Sequence, residues 1–412
     1  MVEQVQAIVI GGGIVGCSIL YGLAERGMTD TLLLEKNELT SGSTWHAAGN
    51  CTHFGHDAEI TRLYVNSIRT YLRAQEESGQ SVGFHKTGSL RLATTPDELA
   101  SYERLVPIYK KLGIPYQVVS PQQIPALHPL MNCEGVLGAA HTPDDGHVDP
   151  TGATMAMAQS ARARGARILQ QHPADSIRRS ATGVWEVRSN DKVFTTTRLI
   201  VATSFWAREM LAQLDIDVPL YALEHHELVT ETHPDIAALG FELPTVRDPY
   251  VSGNVRQEGK GFLIGVYEKE PVAWNVDGIP PEFGRELLVP DLERLMPNLE
   301  RCMWRFPAFA QVGIKVANNG PLCYAPDGFP MLGPVPGQEG LWLASGFHVG
   351  IGTGGGAGQF LSEWIATGKP PYRLACVEPA RFAAPMDTQT AVSSILGHYA
   401  AGYATPPMDV AI

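Results

Sequence analysis

Three groups of residues in this chain are spaced for chemistry. Gly11, Gly13 and Gly16 occupy the fixed positions of a GxGxxG turn, with Ile14 and Val15 between the last two. Glu35 follows at about the twenty-residue distance at which such a turn meets an acid that accepts from ribose hydroxyls, and Lys36 is beside it. His46 is followed by Ala47, Ala48 and Gly49, small residues that leave room for a bulky planar ring against the backbone. Farther along, His225-His226-Glu227 brings together two imidazoles and a carboxylate. Adjacent strand residues point to opposite faces, so only His225 and Glu227 can share one. That leaves the run short of a metal's usual ligand set, and no metal site is expected.

These groups need elements to hold them. Residues 5–10 form a short apolar run suited to a buried parallel strand. The glycines follow it, and then a helical pattern over 14–26 (Ile14, Cys17, Leu20, Tyr21, Ala24) with Gly27 where a C-terminal cap falls. A second apolar run, Thr31 to Leu34, ends at Glu35. In this order Gly11 permits a tight turn, Gly13 lets the backbone approach a pyrophosphate, and Gly16 lets the helix pack on the strand. The helix N-terminus then offers unpaired N–H groups and a positive dipole end to the phosphates. The unit predicts a bound dinucleotide, with a purely structural turn as the alternative. It does not choose between a flavin and a nicotinamide.

Composition narrows the remaining classes. At 412 residues the chain exceeds one ordinary domain, so two domains are expected. A net charge of −12 offers no basic excess for nucleic acid and no basic stripe for a membrane surface. Cys17, Cys51, Cys133, Cys302, Cys323 and Cys376 form no CxxC pair and read as reduced thiols. The apolar stretch Ala7–Ile10 lacks a basic leader and is too short for a signal or a span. A soluble, cytoplasmic protein is the expectation.

The segment Ser43-Thr44-Trp45-His46-Ala47-Ala48-Gly49 closely resembles the dimethylglycine/sarcosine dehydrogenase branch of the D-amino-acid-oxidase-like flavoproteins. The likeness continues through Thr87–Ala93, Thr203–Arg208 and Leu341–Gly358, through Asn319–Gly328, which resembles a turn of the family, and through His147-Val148-Asp149-Pro150, which is expected to open a helix with Asp149 as its cap and Pro150 at the first helical position. It implies FAD, covalently bonded through His46 to the 8α carbon of the isoalloxazine, with Ser43 and Thr44 along its ribityl and phosphate region. A buried turn histidine beside non-covalent FAD is the alternative for His46. Further contacts are expected from Ala202, Thr203, Trp206, Asp327 and Gly346 through Gly352, including His348, Val349, Gly350 and Ile351. Ser204 stands where the family more often has glycine, which puts a backbone contact there in doubt. The glycines from 350 to 358 are expected to form a backbone closing on the flavin, ahead of a helix over 359–367. The N-terminus of that helix would stabilise negative charge on the reduced ring.

The resemblance also implies an α/β fold. A discontinuous Rossmann-type FAD domain over 1–86, 146–216 and 318–375 would carry an inserted α+β, mostly antiparallel substrate domain over 87–145 and 217–317. Residues 376–412 are a C-terminal extension in which Gly397–Tyr403 resembles the family's connector to a folate-binding domain. The chain then reads as the flavin part alone, with any tetrahydrofolate coupling supplied by another protein. The implied reaction is oxidation of a secondary or tertiary amine such as an N-methylated amino acid. Hydride passes to the flavin and the iminium is hydrolysed to formaldehyde and the demethylated amine.

Within that frame His225, which aligns with the family's strand histidine, takes a positioning or basic role on the substrate face, or is an ordinary strand histidine. Several relatives carry a tyrosine pair before an arginine where this chain has Asn254-Val255-Arg256; Tyr250 or Tyr267 would then replace the phenol. His348 is a further pocket candidate. Arg91 would receive a substrate carboxylate or form a salt bridge. A deaminating amine or D-amino-acid oxidase and a non-catalytic regulatory subunit stay open as other readings. So do oxygen and an electron-transfer flavoprotein as electron acceptors, and the oligomeric state.

Overall fold

The computed structural model describes residues 2–55 and 58–402. The strand Ala7–Ile10 lies at the centre of a six-stranded sheet whose order is Met331–Pro334, Leu341–Ser345, Leu199–Val201, Ala7–Ile10, Thr31–Leu34, Arg167–Leu169. All its pairings are parallel except that of Met331–Pro334 with Leu341–Ser345. Alternate residues serve opposite faces. Ala7, Val9, Leu33 and Ile200 join one core, with the helices Ile14–Glu25, Ala58–Ser78, Pro150–Ala163 and Gly350–Thr367. Ile8, Ile10, Leu32, Leu34, Leu199 and Val201 join a second core, against Ile177, Trp185, Val187 and Phe194 of a four-stranded sheet. Burial on both faces explains why these strands are uninterrupted apolar runs.

The expected helix start at residue 150 is sharply defined. Asp149 accepts from the N–H groups of Thr151 and Gly152, and Pro150 occupies the first helical position, where no N–H is needed. The glycine-rich segment differs from expectation. Gly350 to Gly358 form no loop but the first half of the helix Gly350–Thr367. Packing is the reason. A Cβ on Gly358 would lie 2.0 Å from Ser18 Oγ, and one on Gly356 would lie 2.1 Å from the Leu63 carbonyl oxygen. Tyr71 donates to the Ile351 carbonyl at 2.6 Å, and Ser67 Oγ accepts from the Gly356 N–H at 2.8 Å. The three helices approach so closely that only glycine fits between them.

A nine-stranded sheet lies apart from the six-stranded one. Tyr221–Thr230 pairs along its length with Ile314–Tyr324, and the sheet continues through Gly261–Val266, Gly253–Glu258, Thr245–Asp248, Ser89–Ala93, Gly138–Thr142 and Gln117–Val119, with Ala273–Trp274 at the other edge. Every pairing is antiparallel except Ser89–Ala93 with Thr245–Asp248. The helix Leu292–Arg305 buries Leu295, Leu299 and Cys302 against this sheet. Asn319-Gly320-Pro321, expected in a turn, lies inside the strand Ile314–Tyr324, and the chain turns only at 325–328. The C-terminal helix Thr388–Ala401 packs Ala391, Ile395 and Tyr399 on Tyr221, Leu223 and Tyr324. Of the connector-like segment, Tyr403 lies outside the described residues. No helix among the described residues is long and apolar enough to cross a membrane.

Gly356→Val should therefore lower stability by about 1–3 kcal/mol through overpacking, read as a lower midpoint in chemical denaturation. An unchanged midpoint would contradict the close helix packing.

Candidate active site

The GxGxxG turn adopts the geometry its glycines permit. Gly11 has φ +111°, and a Cβ there would lie 2.3 Å from the Ala202 carbonyl oxygen. A Cβ on Gly16 would lie 1.9 Å from the Gly11 carbonyl, so the helix sits directly on its own turn. Glu35 accepts from the Gly12 N–H at 2.7 Å and from the Asn37 N–H at 2.8 Å, which ties the second strand to the turn. Burial raises its carboxyl, while those hydrogen bonds oppose the rise. Thr44 Oγ1 accepts from Ile14 N–H at 3.1 Å and so reaches the open end of the first helix, whose N-cap Gly13 has no side chain to offer.

A cavity of about 330 Å³ opens from this turn. Of the residues assigned to the cofactor from the sequence, Gly11, Gly13, Ile14, Val15, Glu35, Lys36, Ser43, Thr44, Ala202, Thr203, Trp206, Gly346, His348, Gly350 and Ile351 line it. The wall also contains Ser345, inside the family-like stretch but not assigned to the cofactor, and Pro173, Ala174, Glu209, Met210, Gln213 and Pro281, which no motif indicated. Lys36 places its ammonium 3.8 Å from the Trp206 ring centroid and donates to the Phe283 carbonyl at 2.6 Å. Ser204 has φ +55°, in the left-handed region that favours glycine, which accounts for the family's glycine there. Its hydroxyl reaches the Cys323 thiol.

The lining fits an elongated polar cofactor. Thr203 Oγ1, Trp206 Nε1, Glu209 Oε2, Ser345 Oγ and His348 Nδ1 are buried without a hydrogen-bond partner, and all five belong to cavity residues. Unpartnered buried polar atoms are rare in folded proteins unless a ligand or water completes them. Two helix N-termini, at Ile14 and Gly350, also meet the cavity, neither capped by its own N-cap side chain. Such ends suit the negative charge of a dinucleotide.

The remaining assigned residues stand elsewhere. Asp327 forms a two-point ion pair with Arg381, at 2.7 and 3.0 Å. Gly49 has φ +76° and is closed over by the Val148 carbonyl. Gly352 packs on Tyr64, and the Val349 carbonyl accepts from the Thr353 hydroxyl at 2.8 Å. The Trp45 ring lies under the Arg285 guanidinium at 5.1 Å. Ala48 spends its N–H on Glu227 and its carbonyl on Arg256.

His46 rests on Gly320, whose Cβ, if present, would lie 2.3 Å from the imidazole Cε1. Gly320 is the strand partner of His225, so both imidazoles meet at one rung of the sheet. Burial pushes His46 down to about 4. It pushes His225 to about 3, where His226, His46 and His348 act in the same direction. Burial likewise takes His348 to about 3, helped by His398. All three imidazoles are therefore neutral near pH 7.

Aromatic groups close this end. His348 stacks on Tyr324 at 4.4 Å, and Tyr267 lies 5.1 Å from His225. Tyr399, noted in sequence only as part of the connector-like segment and not as a site residue, reaches in from the helix Thr388–Ala401 with its hydroxyl 2.8 Å from His225 Nδ1 and 2.7 Å from Glu268 Oε2. With its O–H donated to Glu268, the phenol oxygen must accept from His225 Nδ1–H, which leaves the His225 Nε2 lone pair free. Tyr250 is instead on the surface against Trp304, and Arg91 lies over the Phe54 ring at 4.1 Å. His226 points to the other sheet face, where it accepts from Asp291 N–H.

A family model described as FAD dependent oxidoreductase (DAO) matches residues 6–364. The chain is 40% identical over 385 residues to the mitochondrial dimethylglycine dehydrogenase of Mus musculus, covering 92% of this chain and 44% of that protein. It is 33% identical over 387 residues to the mitochondrial sarcosine dehydrogenase of Homo sapiens, covering 91% and 41%. It thus spans under half the length of these curated relatives. Among solved structures, L-proline dehydrogenase from P. horikoshii superposes with a TM-score of 0.81 at 25% identity, covering 93% of this chain and 99% of that one. The glycine turn, the cavity with its unpartnered polar lining and these similarities lead to one assignment: the chain belongs to the DAO family of FAD dependent oxidoreductases.

Proposed function

We propose that this chain oxidises an N-methylated amino acid or a related secondary or tertiary amine, releasing formaldehyde and the demethylated amine. The observation that carries this reading is the cluster of neutral imidazoles, His46, His225 and His348, among Tyr267, Tyr324 and Tyr399 beside the cavity. Amines give up a hydride only from the unprotonated form, and a buried setting of neutral imidazoles and phenols favours that form. Bound FAD supplies the two-electron acceptor at N5. The chain binds the substrate, orients its C–H bond and excludes water.

His225 is the group proposed to meet the amine. Its free Nε2 lone pair can accept the amine's proton or hold its N–H, while Tyr399 and Glu268 fix the ring from behind. Tyr399 is then a positioning residue, and it replaces the phenol absent from Asn254-Val255-Arg256. His348 and Tyr267 complete the wall on the substrate side. We further propose that His46 is covalently linked to the flavin. Its support is the imidazole's neutral state, since the linkage requires an unprotonated nitrogen, and the position of Ser43, Thr44 and Ala47 on the cavity wall. The six-stranded sheet and its helices would then form the FAD domain, and the nine-stranded sheet the substrate domain.

Glu227 shares the His225 face and holds Ala48 beside His46. Burial lifts its carboxyl to about 7, against the pull of Arg256. Between its ordinary value of 4.5 and about 7 the folded chain keeps a proton that the unfolded chain has released. Its contribution to stability therefore falls as pH rises through that window.

Three outcomes are expected. Incubation with a panel of N-methyl amino acids should yield formaldehyde, and His225→Ala should reduce turnover by about 10²–10⁴-fold at unchanged flavin content; ammonia as the product would instead mark a deaminating oxidase. Acid-precipitated protein should stay yellow and His46→Ala protein should not, whereas colour that washes out of the unmutated protein would contradict the covalent link. Glu227→Gln should gain stability relative to the parent between pH 5 and 8, by up to about 3 kcal/mol, in denaturation series at each pH; a difference independent of pH would contradict the buried carboxyl.

A further inference from the structure

Away from the cavity, His85, His147 and Glu242 bring three ligating atoms within 4.8 Å of one another. None of the three lines the cavity. His85 and His147 are bridged in both directions by their backbones, His85 N–H to the His147 carbonyl at 2.9 Å and the reverse at 3.1 Å. Residues paired this way project their side chains to the same side. Their rings accordingly stack at 4.7 Å with planes 9° apart. Glu242 divides its carboxylate between them, Oε2 to His85 Nδ1 at 2.9 Å and Oε1 to His147 Nε2 at 3.3 Å. Two imidazole nitrogens and a carboxylate therefore converge on one point.

We propose that His85, His147 and Glu242 form a binding site for a divalent transition metal of the zinc class. Two imidazoles with one carboxylate suit Zn²⁺, Ni²⁺ or Co²⁺ and not the hard, all-oxygen preference of Ca²⁺ or Mg²⁺. The ion takes the place of the two ring–carboxylate hydrogen bonds, each neutral imidazole then carrying its proton on its other nitrogen. His85 and Glu242 are partly exposed, which gives the ion an entry path and leaves water to complete its shell. The Arg256 guanidinium is the opposing charge near His147. The three ligands come from the approach to Ser89–Ala93, the ribbon before the helix Pro150–Ala163, and the approach to Thr245–Asp248. The metal would therefore clamp the nine-stranded sheet to the Gly146–His147 ribbon that pairs with Asn50–Cys51. Its role is structural and independent of the oxidation chemistry.

The test uses the full flavin-loaded chain, stripped with a chelator and titrated with Zn²⁺ by equilibrium dialysis with elemental analysis. Saturable uptake of one ion is expected, together with a rise in melting temperature. Both should be lost in His85→Ala and in Glu242→Gln. His85 is on the surface, so its variant should fold, and equal melting of parent and variants without metal checks this. No saturable uptake by the parent, or uptake retained in both variants, would overturn the proposal; the latter would place the ion elsewhere, such as on the histidines at the cavity.

Discussion

The register between Tyr221–Thr230 and Ile314–Tyr324 sets the substrate end of this protein. It puts Gly320 opposite His225, and Gly320 is where the His46 ring needs a residue without a side chain. A one-residue slip of Ile314–Tyr324 would bring Asn319 or Pro321 under that ring, and one of Tyr221–Thr230 would turn His225 to the opposite face of the sheet. The same pairing sends Glu227 toward Ala48 and His226 toward Arg294 and Asp291. Two parts of the molecule that are far apart in sequence thus meet at a single rung.

Electrostatics follow from that placement. The cavity end holds imidazoles that are neutral near pH 7, because burial outweighs every other influence on them, and beside them a Glu227 carboxyl lifted to about 7. A further ion-pair cluster lies one layer back, where Arg294 contacts Glu224 at 2.7 Å and Glu268 at 3.2 Å behind Tyr399. The dinucleotide end is organised differently. There the backbone works through two helix starts that lack a cap from their own N-cap side chains and through the Gly11 turn, and side chains such as Thr203 and Ser345 are left with unpartnered atoms.

Local features were readable in the sequence, and tertiary ones were not. The first strand, turn, helix and second strand follow from apolar runs and glycine spacing, and they lie within a residue or two of their expected bounds. So does the Asp149 cap. The segment from Gly350 misleads because glycine is a poor helix former, and only the approach of Ser18, Leu63 and Ser67 makes it the right residue there. Asp327 looked like part of a flavin turn, but Arg381, 54 residues later, claims its carboxylate. Tyr399, noted only within the connector-like segment, and Glu268 carry no local signal of a site; their place beside His225 depends on how the helix Thr388–Ala401 packs. His85 and Glu242 are equally silent in sequence, and His147 read only as the approach to a helix, since the three meet only through a backbone bridge and a loop.

The central claim is that an amine C–H bond is broken beside His225, next to the cavity, with transfer of its electrons to the flavin. The most direct measurement mixes the holoprotein anaerobically with an N-methyl amino acid, with and without deuterium in the methyl group, and follows the oxidised-flavin absorbance. The account predicts bleaching that is slower for the deuterated methyl group. Absence of bleaching across secondary and tertiary amines, or bleaching at a rate indifferent to the label, would contradict it.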